Sequence, residues 1–319
     1  MNTRIKSLSQ LIQKVSEIEV ASDSLLFFRG EPEDYKSTAL IPNIYRDGYI
    51  QNEEIIYREM QRFNEHEFAS DKTAFDKLSR MQHYNAPTRL LDISEDLLSA
   101  VYFAIGERKI EKEDKKKDNS LIYIFEIEKS KIKYYDSDAV SVISNLSKIP
   151  LINNDNDKSK KKLCCDIDGV GIKKFNKRES AKFLRHEIRE EKPQFEAIID
   201  PKHITSIQCV RPKLTSDRIR SQKGVFLLFG LNPQNIEEPI KLLDKNSTLI
   251  PSTSKITHPI KKIHKIEISY DAIEKMQKEL KKIGITKPFI YPELDKVSEY
   301  LKEEYKYAIS SCNAHSNQE

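Results

Sequence analysis

The segment LIYIFEI, residues 121–127, constrains the fold of this chain more than any other stretch. It is apolar on both of its alternating faces, which is typical of a strand in the middle of a sheet. Other short apolar runs also predict strands, namely SLLFF, FEAIID, ITSIQCV, GVFLLF and HKIEISY, which end near residues 28, 200, 210, 229 and 270. Most of the predicted strands therefore cluster in the middle of the sequence.

Helical patterns occupy both ends of the chain. Apolar residues recur at helical spacing in the first 22 residues and again in the tail, at Ile273, Met276, Leu280 and Ile283. Further helices are predicted over residues 53–68 and 75–82 and from Ser94 onward, with Ser94 as the N-cap. Strands in the middle with helices at both ends do not alternate as in a doubly wound sheet. The predicted fold class is therefore α+β, with a central mixed or antiparallel sheet flanked by helices and a helical C-terminal cap.

The composition adds limits on domain organisation and location. Charged residues make up 33% of the chain, yet the formal net charge is only +4, so no global field demands a nucleic-acid partner. Two polar runs, near residues 107–120 and 150–162, predict exposed loop insertions. We expect an N-terminal helix in residues 1–22, one domain over 23–302, and a tail over 303–319 that is disordered at its end. No apolar run is long enough to span a bilayer, which favours a cytoplasmic protein with no membrane contact.

Several classes of site lack their sequence signals. The cysteines, at positions 164, 165, 209 and 312, form no CxxC pair, which favours a reducing compartment without disulfides. His186, His203 and His264 have no metal-ligand spacing, so no metal site is predicted. Neither a Walker loop nor a GxSxG elbow occurs.

Short strings in a fixed order carry a resemblance to a known family. They are FRG at residues 28–30, LIPNIYR at 40–46, MQHYNAPTRLLDIS at 81–94, SAVYFA at 99–104, DRIRSQKGVF at 217–226 and GITKPFIYPELDKV at 284–297. Together they resemble the FRG domain family, named for its (F/Y)RG motif, from about Phe28 to about Leu301. The family commonly has Gly where Asn85 stands and often Trp where Ile93 stands. The resemblance implies an intracellular bacterial or phage-associated protein with a role in defence or toxicity.

The densest chemical stretch lies in QHYNAPTRLLDIS, which we expect to form a loop between two helices. A helix N-terminus beside an arginine suits a phosphate or carboxylate. An arginine at the end of an apolar strand is costly to bury without an anionic partner, and Arg29 is such a residue. The predicted ligand-binding residues are Arg29, Gln82, Thr88, Arg89, Asp92, Ser94 and Arg218.

The predicted catalytic residues are His83, Tyr84, Gln222 and Glu196. Each of these predictions has a structural alternative. Arg89 and Asp92 could form an ion pair beneath the loop, His83 could be a hydrogen-bonded loop histidine, and Tyr84 could pack against its neighbours. The segment YPELD, residues 291–295, is interpreted as packing and capping.

Three functions remain open from the sequence. The first is an NAD-consuming or nucleotide-modifying enzyme similar to ADP-ribosyltransferases, with NAD or another nucleotide as substrate rather than cofactor. Arg29 would then hold a phosphate, and Glu196 would replace the late glutamate of those enzymes, whose place is taken here by Gln222. The second is a non-catalytic module that binds a nucleotide or nucleic acid through Arg29, Arg89 and Arg218. If the ligand is nucleic acid, its affinity should fall as the salt concentration rises. The third is a scaffold for a protein partner that the sequence does not identify.

Overall fold

The computed structural model describes residues 4–110, 118–150, 171–196 and 198–306. The strands are β1 (Ser24–Glu31), β2 (Leu90–Ser94), β3 (Ser120–Glu128), β4 (Ile132–Tyr134), β5 (Ile207–Arg211), β6 (Gly224–Phe229) and β7 (Ile260–Ile268). The helices are α1 (Leu8–Ser16), α2 (Glu53–Phe63), α3 (Glu65–Phe68), α4 (Ala74–His83), α5 (Leu97–Val101), α6 (Asp138–Ser144), α7 (Ile172–Phe175), α8 (Glu179–Glu191), α9 (Pro201–Ile204), α10 (Asp217–Ser221), α11 (Ile273–Lys282), α12 (Lys287–Ile290) and α13 (Leu294–Glu304).

The strands form one curled, seven-stranded sheet in the order β4-β5-β6-β2-β1-β3-β7. The β4–β5 pair is parallel and the other neighbours are antiparallel, so the sheet is mixed. The α+β prediction is confirmed. Strand β3 is buried from Ser120 to Ile127 and pairs with β1 and β7 along its length, as its apolar sequence predicts.

Two groups of helices cover different halves of the sheet. Side chains of α1, α5 and α11 share one cluster with β1, β3 and β7, which includes Leu11, Ala100, Met276, Ile122 and Ile124. Side chains of α2, α4, α6 and α8 pack on β2, β5 and β6 in a separate cluster. The opposite faces of the strands share a third cluster that includes Phe27, Leu91, Tyr123 and Leu227. The two helical groups therefore meet above the β1–β2 junction.

Strands β1 and β2 are paired at a single position, Phe28 with Ser94. On the same stretch of β1, helix α5 lies unusually close to the strand. A Cβ atom added to Gly30 would lie 1.8 Å from the carbonyl oxygen of Ala100 and 2.7 Å from the backbone nitrogen of Ala104. This approach explains why the FRG string ends in glycine and why the string SAVYFA is rich in small residues.

Three local predictions are wrong. The stretch Leu90–Ser94 is strand β2, paired with β6, and not a loop. Ser94 does not cap the following helix, because Asp96 is the N-cap of α5 and its side chain accepts from the backbone N–H of Ser99. The run FEAIID forms no strand in the part that the structure describes, and helix α9 follows it.

Other predictions fall partly outside the described residues. These include half of the first polar loop (111–117), nearly all of the second (151–162), the tail beyond residue 306, and Cys164, Cys165 and Cys312. Helix α1 is shorter than the predicted N-terminal helix, and Ile5 instead bonds alongside β7, donating its N–H to the carbonyl of Glu267 at 2.8 Å. Among the helices described here, none combines the length and the apolar character that a bilayer crossing needs.

Candidate functional site

A cavity of about 260 Å³ lies where β1 and β2 separate. Its walls come from β1, β2, α4, α10 and the segment that follows α12. The lining residues are Phe28, Arg29, Gly30, Ser79, Gln82, His83, Asn85, Asp92, Ile93, Ser94, Phe103, Arg218, Ile219, Gln222, Gly224, Phe226 and Tyr291. The structure thus brings together seven of the residues that the sequence singles out, namely Arg29, Gln82, His83, Asp92, Ser94, Arg218 and Gln222.

Arg29 spans the gap between the two separating strands. Its Nη1 donates to the backbone carbonyl of Asp92 at 2.8 Å, and its Nε donates to Oε1 of Glu31 at 3.1 Å. A guanidinium has five N–H donors, so these two bonds fix its plane and leave others for a ligand. The buried carboxylate of Glu31 offsets part of its charge.

A short chain of hydrogen bonds orients the polar floor of the cavity. The hydroxyl of Thr88 donates to Oε1 of Gln82 at 2.6 Å, and Nε2 of Gln82 donates to Oδ2 of Asp92 at 2.6 Å. Thr88 is fully buried and does not line the cavity. Its role is to fix the amide of Gln82, which in turn holds the Asp92 carboxylate.

Arg218 brings a second guanidinium to the cavity from α10. Its Nη1 donates to the backbone carbonyl of His83 at 2.9 Å and lies 3.8 Å from Oε1 of Glu293. The guanidinium also lies over the ring of Tyr291, 4.7 Å from the ring centroid, which is a cation–π contact. Burial raises the pKa of Tyr291 to about 12, so its hydroxyl stays protonated at neutral pH.

His83 is hydrogen-bonded through Nε2 to Oε1 of Glu293, which lies 210 residues later in the chain. Burial lowers the pKa of His83, and the hydrogen bond to Glu293 only partly opposes this shift. The imidazole is therefore neutral at neutral pH. Because an ionised carboxylate has no hydrogen to donate, the imidazole hydrogen belongs on Nε2, and the lone pair is on Nδ1. A neutral imidazole with this orientation can act as a general base.

Gln222 and Ser94 tie α10 and β2 to the rim of the cavity. Nε2 of Gln222 donates to the backbone carbonyl of Ile290 at 2.9 Å, which fixes the segment that carries Tyr291 and Glu293. The hydroxyl of Ser94 donates to the backbone carbonyl of Gln222 at 2.6 Å. Both side chains therefore hold the walls in place as well as lining the cavity.

Four predicted site residues lie outside the cavity: Tyr84, Thr88, Arg89 and Glu196. The buried Arg89 guanidinium donates to both carboxylate oxygens of Glu53 and to the carbonyl of Phe229, so it cannot reach a ligand. The partner that its burial requires is Glu53 and not Asp92. Tyr84 stacks on His83 with centroids 5.1 Å apart but is 53% exposed and donates its hydroxyl to Glu67. Glu196 is exposed and lies in no strand.

Sequence reasoning missed the contribution of the chain's last third. Tyr291 lines the cavity and Glu293 holds His83, whereas the sequence pattern of YPELD predicts only packing and capping. The available signal was the position of this segment in the string GITKPFIYPELDKV, which carries the same resemblance as FRG. Within the described ranges, no three His, Cys, Asp or Glu side chains converge as metal ligands would.

Comparison with known proteins gives one finding. The FRG domain model matches residues 24–114, a range that runs from β1 through α5 and holds Arg29, Gln82, His83 and Asp92. No curated protein and no solved structure matches the chain. The strings that contribute Arg218 and Glu293 lie beyond the matched range, so their place in the resemblance stays a prediction. The chain therefore contains an FRG domain over residues 24–114.

Proposed function

We propose that the cavity binds one end of a nucleotide and that the protein modifies this nucleotide, using His83 as a general base. One observation carries the proposal. Two guanidinium groups, a carboxylate and a neutral imidazole line the same cavity together with aromatic rings. Catalytic groups of several types around one concavity are the usual mark of an active site.

The guanidinium groups of Arg29 and Arg218 supply the phosphate contacts. Each is held by backbone carbonyls and keeps unused N–H donors. Planar guanidinium groups bind phosphate through paired, charge-assisted hydrogen bonds. Two such groups in one cavity suit a phosphate better than a neutral ligand.

The other lining residues can bind a sugar and an aromatic ring. Asp92, Gln82 and Gln222 present oxygen and amide groups that can bind ribose hydroxyls, while Phe103 and Tyr291 offer aromatic surface. The volume of about 260 Å³ is slightly below the range of roughly 300 to 1,000 Å³ that is typical of small-molecule sites. We therefore expect a mononucleotide-sized end of the substrate to enter, with the rest lying at the open mouth.

A dinucleotide such as NAD fits this arrangement, with one half in the cavity and the other half at its mouth. In the proposed reaction the bond from ribose C1′ to the nicotinamide nitrogen breaks, and its electron pair neutralises the positive ring, which leaves as nicotinamide. A nucleophile bonds to C1′ and gives its proton to Nδ1 of His83. Glu293 stabilises the resulting imidazolium through Nε2. The Asp92 carboxylate takes the place proposed for Glu196, stabilising positive charge that develops on the ribose.

The test combines binding with turnover. Calorimetric titration of ADP-ribose, ADP and adenosine measures the dependence on phosphate, and incubation with NAD measures nicotinamide release. We expect ADP-ribose and ADP to bind much more tightly than adenosine. Release should fall by at least roughly a hundredfold in His83→Gln, which keeps an amide donor toward Glu293 but cannot accept a proton. Equal binding of all three ligands would contradict the phosphate contacts, and binding without turnover would leave a non-catalytic binding module.

We further propose that the protein has a role in bacterial defence or toxicity. The match to the FRG domain model supports this role. If this role is correct, cells that express the chain during phage infection should lose NAD and yield fewer phages. His83→Gln is the matched control, and equal NAD levels with both chains would contradict the role.

A further inference from the structure

We infer that Ser79 holds the nucleophilic water beside His83, so that the reaction is hydrolysis of the nucleotide rather than transfer to a bulky acceptor. The inference rests on the proposed function and specifies its second substrate. It starts from a second, smaller cavity that also borders α4.

The smaller cavity has a volume of about 20 Å³ and shares Ser79, His83 and Ile219 with the main cavity. A water molecule needs roughly 10 to 15 Å³ of such space, so this cavity has room for one water and little more. Ser79, His83 and Ile219 therefore lie at the boundary of the two cavities, where a water can reach a nucleotide in the main cavity.

Ser79 lacks the hydrogen bond that a buried helical serine normally makes. The residue is 6% exposed, and its hydroxyl has no partner in the part of the chain that the structure describes. A serine inside a helix can bond the carbonyl four residues earlier, and this one does not. Leaving a buried hydroxyl unpaired costs stability, so its orientation needs an explanation.

Both carboxylates of the small cavity are already engaged. Asp76 accepts from Lys213 and from the backbone of Thr73, and Asp71 accepts from Arg80. Within the described residues, the hydroxyl of Ser79 is buried and has no partner. His83 uses Nε2 for its bond to Glu293, which leaves Nδ1 as its second ring nitrogen. Ser79 and His83 lie four positions apart on α4, which places both side chains on one face of the helix.

A water in this position can bond to Ser79 and donate to Nδ1 of His83. Its oxygen then bonds to C1′ as the bond to nicotinamide breaks, and its proton passes to Nδ1. The products are ADP-ribose, nicotinamide and a proton. The space of about 20 Å³ is closer in size to a water molecule than to an acceptor side chain or a second nucleotide, which favours water as the nucleophile.

Partitioning between water and methanol tests the inference with NAD as the substrate. The wild-type protein in dilute methanol should form ADP-ribose with almost no methyl ADP-ribose. Ser79→Ala should lower kcat roughly tenfold or more, with a much smaller effect on the dissociation constant of ADP-ribose. Ser79→Gly adds space and should raise the methyl product.

The matched control is Ser141→Ala on α6, which removes another helical serine that is 6% exposed and should leave kcat unchanged. A methyl product in proportion to methanol in the wild type, or an unchanged kcat in Ser79→Ala, would overturn this inference alone. Absence of NAD turnover would overturn it together with the proposed catalysis, whereas tight ADP-ribose binding without turnover would spare the nucleotide site.

Discussion

Arg29 and Asp92 join two neighbouring strands at the point where their main chains separate, through a 2.8 Å bond from the guanidinium to the backbone carbonyl. A side chain thus replaces a ladder bond, and the opening beside it becomes the cavity. The arginine of the FRG string therefore has a structural and a binding function at once. Because a substitution of Arg29 would alter the structure and the binding together, other residues give clearer tests of binding.

Arg218 offers the cleaner test of phosphate binding. Arg218→Gln removes a cavity guanidinium and should weaken ADP-ribose binding roughly tenfold to a hundredfold, as expected for a charge-assisted hydrogen bond. Arg220→Gln on the same helix is the control, because Arg220 is exposed, pairs with Asp217 and does not line the cavity. Calorimetry measures both, and equal losses in the two variants would point to a general charge effect instead of a site.

The pH dependence of turnover reports on His83. Burial lowers the pKa of His83, so the base is neutral above that pKa, and kcat/KM should rise with pH below about 6.5 and level off near neutrality. The hydrogen bond to Glu293 acts in the opposite direction and raises the pKa of His83. Glu293→Gln should therefore move the acid limb to still lower pH and reduce kcat. An unmoved limb would show that Glu293 does not act through His83.

The Arg89–Glu53 pair should matter for stability and not for binding. Glu53→Gln leaves the buried guanidinium without its charged partner and should lower the free energy of unfolding by about 3 to 5 kcal/mol. Glu54→Gln beside it breaks only the surface pair with Arg58 and should cost about 0.5 kcal/mol or less. Urea unfolding distinguishes the two. Similar midpoints for both variants would contradict the structural role of Arg89.

Gly30 should tolerate no side chain. Gly30→Ala would bring a Cβ within 1.8 Å of the Ala100 carbonyl, so α5 must shift, and we expect destabilisation by about 1 to 3 kcal/mol or more. Gly171→Ala, where an added Cβ meets nothing within 4 Å, is the control and should leave the thermal midpoint nearly unchanged. A stable Gly30→Ala would mean that α5 does not press on β1 in solution.

Local sequence patterns predict the elements whose character is set locally. Strand β3 is apolar on both faces, and α4 begins with a Thr73–Asp76 capping box ahead of a regular apolar stripe. Local sequence patterns do not predict strand β2, because its five residues are extended through pairing with β6, more than a hundred positions later. Tertiary pairing there outweighs the N-cap preference of Ser94.

The site residues also fall into two groups, those that local sequence predicts and those whose position depends on the tertiary fold. Arg29, Gln82, His83 and Asp92 lie in strings dense with polar groups, so the sequence predicts them together. Glu293 lies in a segment that shows no local sign of chemistry, and its contact with His83 depends on how the C-terminal segment folds back. Arg89 is mispredicted because its partner is Glu53, 36 residues earlier, whereas Asp92 is the nearer acid in sequence.

The most direct measurement of the central claim is a crystal structure of the protein soaked with ADP-ribose. The account predicts ligand density in the cavity between β1 and β2, with a phosphate oxygen at about 2.9 Å from the guanidinium groups of Arg29 and Arg218. The ribose should lie near Asp92, with its C1′ facing His83. Well-ordered crystals with no ligand in this cavity at saturating concentration, or with the ligand bound at another surface, would contradict the account.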